Sequence, residues 1–235
     1  MLRRRNRRRG LFVKLPGTEV VDVVAAAGFD FMVVDREHSQ LGEEDALRIV
    51  RHAHARGLPA VVRVPEVERG AINRLLEAGA AGIQLSTVRN VGQVRALRAA
   101  THYAPEGDRS ISLAHPVAGY GGTSLSDYLD ERAAEPPLLV GQIETARTDD
   151  PLEEILGAGL DVAFIGTTDL SVDLGLAADR VAERVEEIAA AAEAAGVELG
   201  AFGLDDPRVT YEVAGSDLAL LRSAVAALCA EGARA

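Results

Sequence analysis

The chain has one cysteine, one lysine and no tryptophan among 235 residues, and aromatic residues make up only 4%. The lone Cys229 excludes an intrachain disulfide and a CxxC redox or metal motif. It reads as a small apolar residue of the last helix, and nothing in the cysteine usage asks for an oxidising compartment. The lone Lys14 leaves almost no scope for lysine-based covalent catalysis. No apolar run is long enough to span a membrane. Basic residues are scarce in a particular way: six of the first nine positions are arginine, and the rest of the chain carries 19 basic against 36 acidic residues. A body so acidic repels nucleic acid and anionic membranes, so neither is expected as a partner. These features describe a cytoplasmic protein.

Residues 1–10 read as a solvated, arginine-rich arm preceding the folded domain at 11–235. Arg8-Arg9 before Leu11-Phe12 has a superficial likeness to a twin-arginine export signal. Lys14, Pro16, Glu19 and Asp22 interrupt the uncharged apolar stretch that such a signal needs, so export is not expected.

What is present is a rhythm. Short β-branched runs alternate with longer Ala/Leu/Glu/Arg stretches of helical period, which is the mark of repeated βα units around a parallel sheet. Strands are expected at 11–15, 29–35, 60–64, 82–85, 138–143, 162–165, 198–202 and 217–221. Helices are expected at 18–27, 43–56, 69–78, 91–100, 151–158, 178–195, 206–214 and 223–232. Eight of each predict a single closed (β/α)8 barrel, and the length suits one. An open dinucleotide-binding sheet would need a GxGxxG turn after its first strand, and Lys14-Leu15-Pro16-Gly17-Thr18 does not supply it. One segment, residues 102–137, is too long for an ordinary connection and is either a lid or subunit-packing element or a surface excursion.

Barrel enzymes place their chemistry at the C-terminal ends of the strands. Charged groups stand there where Gly, Ser or Asn would be the structural default: Asp35-Arg36-Glu37-His38 after the second strand, Arg63 in the third, Gln142-Ile143-Glu144 at the fifth, and Gly166-Thr167-Thr168-Asp169 at the sixth. Asp169 alone would pass for a helix cap; four such occurrences are harder to explain that way. Glu144 and Asp169 are one βα repeat apart, so they share a rim and make an all-oxygen pair suited to Mg²⁺ or Mn²⁺, or else clasp an arginine. Schiff-base and pyridoxal-phosphate enzymes need a lysine nucleophile, and Lys14 serves only if it points to the mouth. A carbanion beside a carbonyl would then need a divalent metal as its electron sink. His52 and His54 are two apart on a helix and face different ways; His102 and His115 read as solvated loop residues.

These blocks, in this order, resemble the HpcH/HpaI family of metal-dependent class II pyruvate aldolases. The likeness runs over nearly the whole chain from Gly10 and includes the stretch Tyr103-Ala104-Pro105-Glu106-Gly107-Asp108-Arg109. It implies that Glu144 and Asp169 hold a divalent ion (Mg²⁺ or Mn²⁺, or Co²⁺), which a 2-oxo acid chelates. Gly166, Thr167 and Thr168 would receive the substrate carboxylate through backbone N–H groups. His38, oriented by Asp35, would move the aldol hydroxyl proton, Arg63 would stabilise the enolate oxygen, Gln142 would line the metal and Glu37 would support it. A homo-oligomer is implied too, a hexamer or trimer of dimers with exchanged C-terminal helices. The chain departs from the family at Leu85-Ser86-Thr87-Val88-Arg89-Asn90 and at Leu221-Arg222-Ser223-Ala224. The expected reaction is reversible cleavage of a 4-hydroxy-2-oxo acid to pyruvate, or a related 2-oxo acid, and an aldehyde. Condensation of the same enolate onto another electrophile and a non-catalytic barrel are the alternatives.

Overall fold

The computed structural model describes residues 7–232, with side chains through Ala230. Eight parallel strands close into a barrel in sequence order: β1 (Arg8–Val13), β2 (Phe31–Asp35), β3 (Ala60–Val64), β4 (Gly82–Leu85), β5 (Leu138–Ile143), β6 (Val162–Ile165), β7 (Glu198–Phe202) and β8 (Val209–Ser216). Helices α1 (Glu19–Ala26), α2 (Glu43–Ala55), α3 (Arg69–Glu77), α4 (Val91–Thr101), α5 (Leu125–Ala134), α6 (Leu152–Gly157), α7 (Thr167–Asp173), α8 (Ala178–Ala195) and α9 (Asp217–Gly232) complete the described elements. None is long and apolar enough to cross a membrane among the described residues.

Strand side chains alternate between two apolar layers, because successive residues of a strand face opposite sides. Phe12, Phe31, Val33, Val61, Val140, Phe164, Tyr211 and Val213 fill the barrel interior. Val13, Met32, Val34, Val62, Ile83, Leu139 and Ile165 pack outward with the helices. Burial on both faces is why these strands read as continuous β-branched runs. Two residues beyond the last interior apolar residue, the same parity delivers Lys14 from β1, Asp35 from β2, Arg63 from β3, Gln142 and then Glu144 from β5, and Gly166 after β6. The polar mouth is thus the continuation of the apolar plug.

Three expectations need correction. The last repeat is inverted: 206–214 is not a helix but mostly β8, and 217–221 is not a strand but the first turns of α9. Val209, Tyr211 and Val213 are buried while Thr210, Glu212 and Ala214 are half-buried, a period of two that only a strand produces. Residues 203–208 alone join β7 to β8, so no helix covers that step. The arm also ends earlier than residue 10, because Arg8–Gly10 already belong to β1. Arg8 is buried, ion-paired with Glu198 and set over the Tyr211 ring at 5.5 Å. Met1–Asn6 lie outside the described residues.

The third correction falls within residues 102–137 and concerns His115. The segment contains a 3₁₀ turn at Pro116–Gly121 and α5. His115, expected to be solvated, is buried with its ring 5.5 Å from that of Tyr128. Tyr128 is itself buried and meets Tyr103 hydroxyl to hydroxyl at 3.1 Å. Arg69 and Asn73 tie the segment to α3. Cys229, expected as a small apolar residue of the last helix, lies exposed on α9.

Candidate active site at the strand ends

Asp35 is the most completely satisfied group at the mouth. It is fully buried and accepts from Arg63 Nε at 2.9 Å and Arg63 Nη2 at 2.7 Å, a bidentate fork. Lys14 Nζ lies 2.8 Å from Oδ2, the oxygen that also accepts from Arg63 Nη2, and the backbone N–H groups of Glu37 and His38 donate to Oδ1 at 3.1 Å. Burial alone would raise the Asp35 carboxyl, but the Arg63 hydrogen bonds and charge, Lys14 and the His38 N–H outweigh it. They hold it well below the usual carboxylate range. Glu37 stands behind the fork, 3.3 Å from Arg63 Nη1, and accepts from Ser86 Oγ at 2.6 Å.

Lys14 therefore does reach the mouth, although it was expected to matter little. Its Nζ also donates to the His38 carbonyl at 3.0 Å, which ties β1 to the loop carrying His38. The backbone N–H groups of Lys14 and Leu15 both donate to Asp217 at the start of α9, at 2.8 and 2.9 Å.

His38 is placed differently from the expectation. Asp35 does not orient its ring; it takes only the His38 backbone N–H. The ring stands at the rim, 53% exposed, with Nε2 3.7 Å from Glu37.

The other half of the mouth is built on Glu144, which is buried. Oε1 accepts from the Thr87 N–H at 2.9 Å and Thr87 Oγ1 at 2.6 Å, and Oε2 accepts from the Gln142 amide. Gln142 in turn accepts from Gln84 Nε2 at 2.7 Å, and both glutamines are buried. Every one of these donors is neutral. Thr87 holds a left-handed backbone at φ 48°, a conformation that a β-branched residue adopts only when its surroundings impose it. Its two bonds to one carboxylate oxygen are that imposition. Ser86 and Thr87 sit in the stretch that departs from the family, and that departure was their only signal in the sequence.

Gly166 faces Glu144 directly: a Cβ there would stand 2.3 Å from Oε2, so glycine keeps that side of the carboxylate open. Thr167, Thr168 and Asp169 follow as the first turn of α7, with Asp169 exposed. The donor set fits a hard divalent cation. A buried carboxylate held only by neutral donors, on a mouth it shares with a second, solvent-facing carboxylate, has the oxygen chemistry that such an ion selects. Among the described residues no group of three or more His, Cys, Asp or Glu side chains is placed to hold a metal, so water and substrate oxygens would complete the sphere.

Comparison with known proteins agrees with this architecture. The family model for HpcH/HpaI aldolase/citrate lyase matches residues 8–212. A hydroxypyruvate/pyruvate aldolase of Paraburkholderia phytofirmans is 32% identical over 207 residues, covering 83% of this chain and 78% of that protein. A 4-hydroxy-4-methyl-2-oxoglutarate aldolase of Hapsidospora irregularis is 32% identical over 199 residues, covering 82% and 74%. The crystal structure of an HpcH/HpaI aldolase from Desulfitobacterium hafniense superposes with a TM-score of 0.88 at 26% identity, covering 96% of this chain and 92% of that one. A match over so much of the barrel, strand ends included, places this chain in the HpcH/HpaI aldolase/citrate lyase family.

Proposed function

We propose that the chain is a divalent-metal-dependent aldolase that reversibly cleaves a 4-hydroxy-2-oxo acid to pyruvate, or a related 2-oxo acid, and an aldehyde. The observation that carries this reading is Glu144: a buried carboxylate with only neutral donors, at the same strand-end mouth as a guanidinium already fixed by its own carboxylate. The aldolase names of the relatives support the reaction class.

Glu144 and Asp169 would hold Mg²⁺, Mn²⁺ or Co²⁺, with Gln142 fixing the Glu144 rotamer through its amide. When bound, the ion supplies a Lewis acid that polarises the substrate's keto oxygen. Gly166, Thr167 and Thr168 would receive the substrate carboxylate, because the first N–H groups of a helix lack carbonyl partners within it. His38, at the rim, would take the proton from the C4 hydroxyl as the C3–C4 bond breaks. The bond's electron pair moves toward C2 and its oxygen, the aldehyde leaves, and a proton returned to C3 completes pyruvate. Arg63 would face the oxygen on which negative charge grows. Asp35, itself braced by Lys14, and Glu37 hold its guanidinium in place beforehand, so little reorganisation is needed at the moment of reaction.

The proposal extends to a cytoplasmic homo-oligomer, a hexamer or trimer of dimers. It is supported by α9, on which Leu218, Leu220, Leu221, Val225 and Leu228 are each 45–70% exposed. A helix that apolar and that uncovered is expected to bury itself on a second copy. Analytical ultracentrifugation of the wild type beside Leu220→Glu/Leu228→Glu tests it, with dissociation to monomers expected. The reaction is tested by incubating racemic 4-hydroxy-2-oxo acids with the metal-loaded protein and following pyruvate release. Release that is abolished by chelation and restored by Mg²⁺ or Mn²⁺ is expected.

A further inference from the structure

The end of the barrel opposite the mouth holds a cavity of about 410 Å³ that the reaction does not use. It lies at the N-terminal ends of β3, β4 and β5, where the chain enters each strand. The 102–137 segment, which has no part in the proposed chemistry, forms its outer wall. Most of its lining is apolar, with Leu58, Leu76, Pro137 and Leu138 among the walls. Two guanidinium groups, Arg109 and Arg132, line it as well.

Each arginine has partners and also one buried nitrogen that its neighbours leave without a hydrogen bond. Arg109 is 93% buried; its Nε donates to Asn73 at 2.9 Å and its guanidinium lies 4.7 Å over the Tyr103 ring. Its buried Nη2 has no hydrogen-bond partner. Arg132 is half-buried over Tyr128, and its Nε is likewise buried without a partner. The nearest acidic group to it is Glu131, at 3.9 Å. Glu135 lines the cavity but is exposed, and His54 lines it from an exposed position on α2. Buried donors left unmade cost free energy, and a buried cation needs an anion. Arg109, a buried guanidinium with no carboxylate in ion-pair reach among the described residues, and the half-buried Arg132 stand on the wall of one cavity and describe the complement of a planar oxyanion carried on a hydrocarbon body. The volume is in the range of small-molecule sites.

We propose that this cavity is a second ligand site, which takes a small monocarboxylic acid with an apolar tail. Its carboxylate bridges Arg109 and Arg132 and its tail lies against the leucine and proline wall. The site is separate from the catalytic mouth, so occupancy does not compete with a 2-oxo acid.

The test uses the full-length, metal-loaded protein in a carboxylate-free buffer. Isothermal titration and thermal unfolding are recorded with sodium hexanoate, phenylacetate, acetate and inorganic phosphate. Hexanoate and phenylacetate are expected to bind and to raise the unfolding midpoint by several degrees at millimolar concentration, with acetate and phosphate at least tenfold weaker. Binding should persist in Glu144→Gln and in the presence of saturating pyruvate. It should fall at least tenfold in Arg132→Gln, and also in Ala134→Trp, where an exposed lining residue is enlarged to close the cavity. Arg109→Gln is expected to behave in the same way, and the other two variants decide the matter if it does not fold. The proposal is overturned if no tailed acid binds, if phosphate or acetate binds as well as hexanoate, if pyruvate displaces it, or if Arg132→Gln and Ala134→Trp bind like the wild type.

Discussion

The two halves of the barrel mouth solve opposite electrostatic problems. On the β1–β3 side, the carboxylates of Asp35 and Glu37 meet the cations of Arg63 and Lys14 in one bonded network. On the β4–β6 side, Glu144 meets only Thr87 and Gln142, and no ion pair to it or to Asp169 occurs among the described residues. The first half is neutral and set in advance. The second carries negative charge that its own residues do not balance. In the proposed function the Glu144 side would hold the metal ion and the Arg63 side a rigid guanidinium, with the 2-oxo acid between them.

The comparison breaks most completely if the unbalanced half is neutralised. Glu144→Gln keeps the shape and the Thr87 contact while removing the charge. It is expected to lose Mn²⁺ binding, read by titration with electron paramagnetic resonance. Cleavage should fall by about 10³-fold or more, the several kcal/mol that a Lewis acid is worth. Loss of cleavage with metal binding intact would move the ion elsewhere.

Within the balanced half, His38 and Arg63 separate by which reaction each variant loses. His38→Ala is expected to reduce cleavage by about 10²–10⁴-fold, the range of general acid–base catalysis. Exchange of pyruvate methyl protons should suffer less. Arg63→Ala should depress cleavage and exchange together, by about 10²–10³-fold. Paired rates for both variants, measured after circular dichroism shows an intact fold, decide the assignment.

Stability sharpens the same contrast. Asp35→Ala strands the buried guanidinium of Arg63 and should cost about 3–5 kcal/mol in urea unfolding. Lys14→Met, which leaves the Arg63 fork intact, should cost clearly less. Because the folded-state pKa of Asp35 is depressed, its contribution is present above the unfolded carboxylate range. It is lost as pH falls below about 4 and toward the folded value. Acid unfolding profiles of the wild type and Asp35→Asn should therefore converge at low pH, and a constant gap between them would contradict the network.

Much of this is legible in the sequence. Strands β2, β3 and β5 are apolar runs that carry a charged residue at or just past their ends, and the period-two rule takes those charges to the mouth. Glu144, Asp35 and Arg63 are visible for that reason. The bonds among them are not, because Asp35 binds Arg63 from the next strand rather than the neighbouring His38 ring. Lys14 was legible as a residue but not as a partner, since whether β1 turns that parity inward is decided by closure of the barrel. The last repeat was misread because the βα rhythm was extended past the point where Val209, Tyr211 and Val213 alternate like a strand. Arg8 was misread because a run of arginines resembles a solvated arm, whereas the partner that buries it, Glu198, is 190 residues away.

That last point gives the smallest expected effect. Deletion of residues 2–6 should leave turnover within about a few-fold, since every group placed at the mouth lies beyond it. Extending the deletion through Arg9 removes the start of β1 and the Arg8–Glu198 pair, and should lower the unfolding midpoint. Equal stability of the two truncations would show that the start of β1 is dispensable.

The central claim is that the unbalanced Glu144 side recruits a divalent ion which, together with Arg63, stabilises an enolate. Deuterium uptake into the pyruvate methyl group, followed by proton NMR, tests it without knowledge of the aldehyde. The account predicts uptake that is abolished by EDTA, restored by Mg²⁺ or Mn²⁺, and absent in Glu144→Gln at any metal concentration. Uptake that persists in EDTA, or in Glu144→Gln at the wild-type rate, would contradict it.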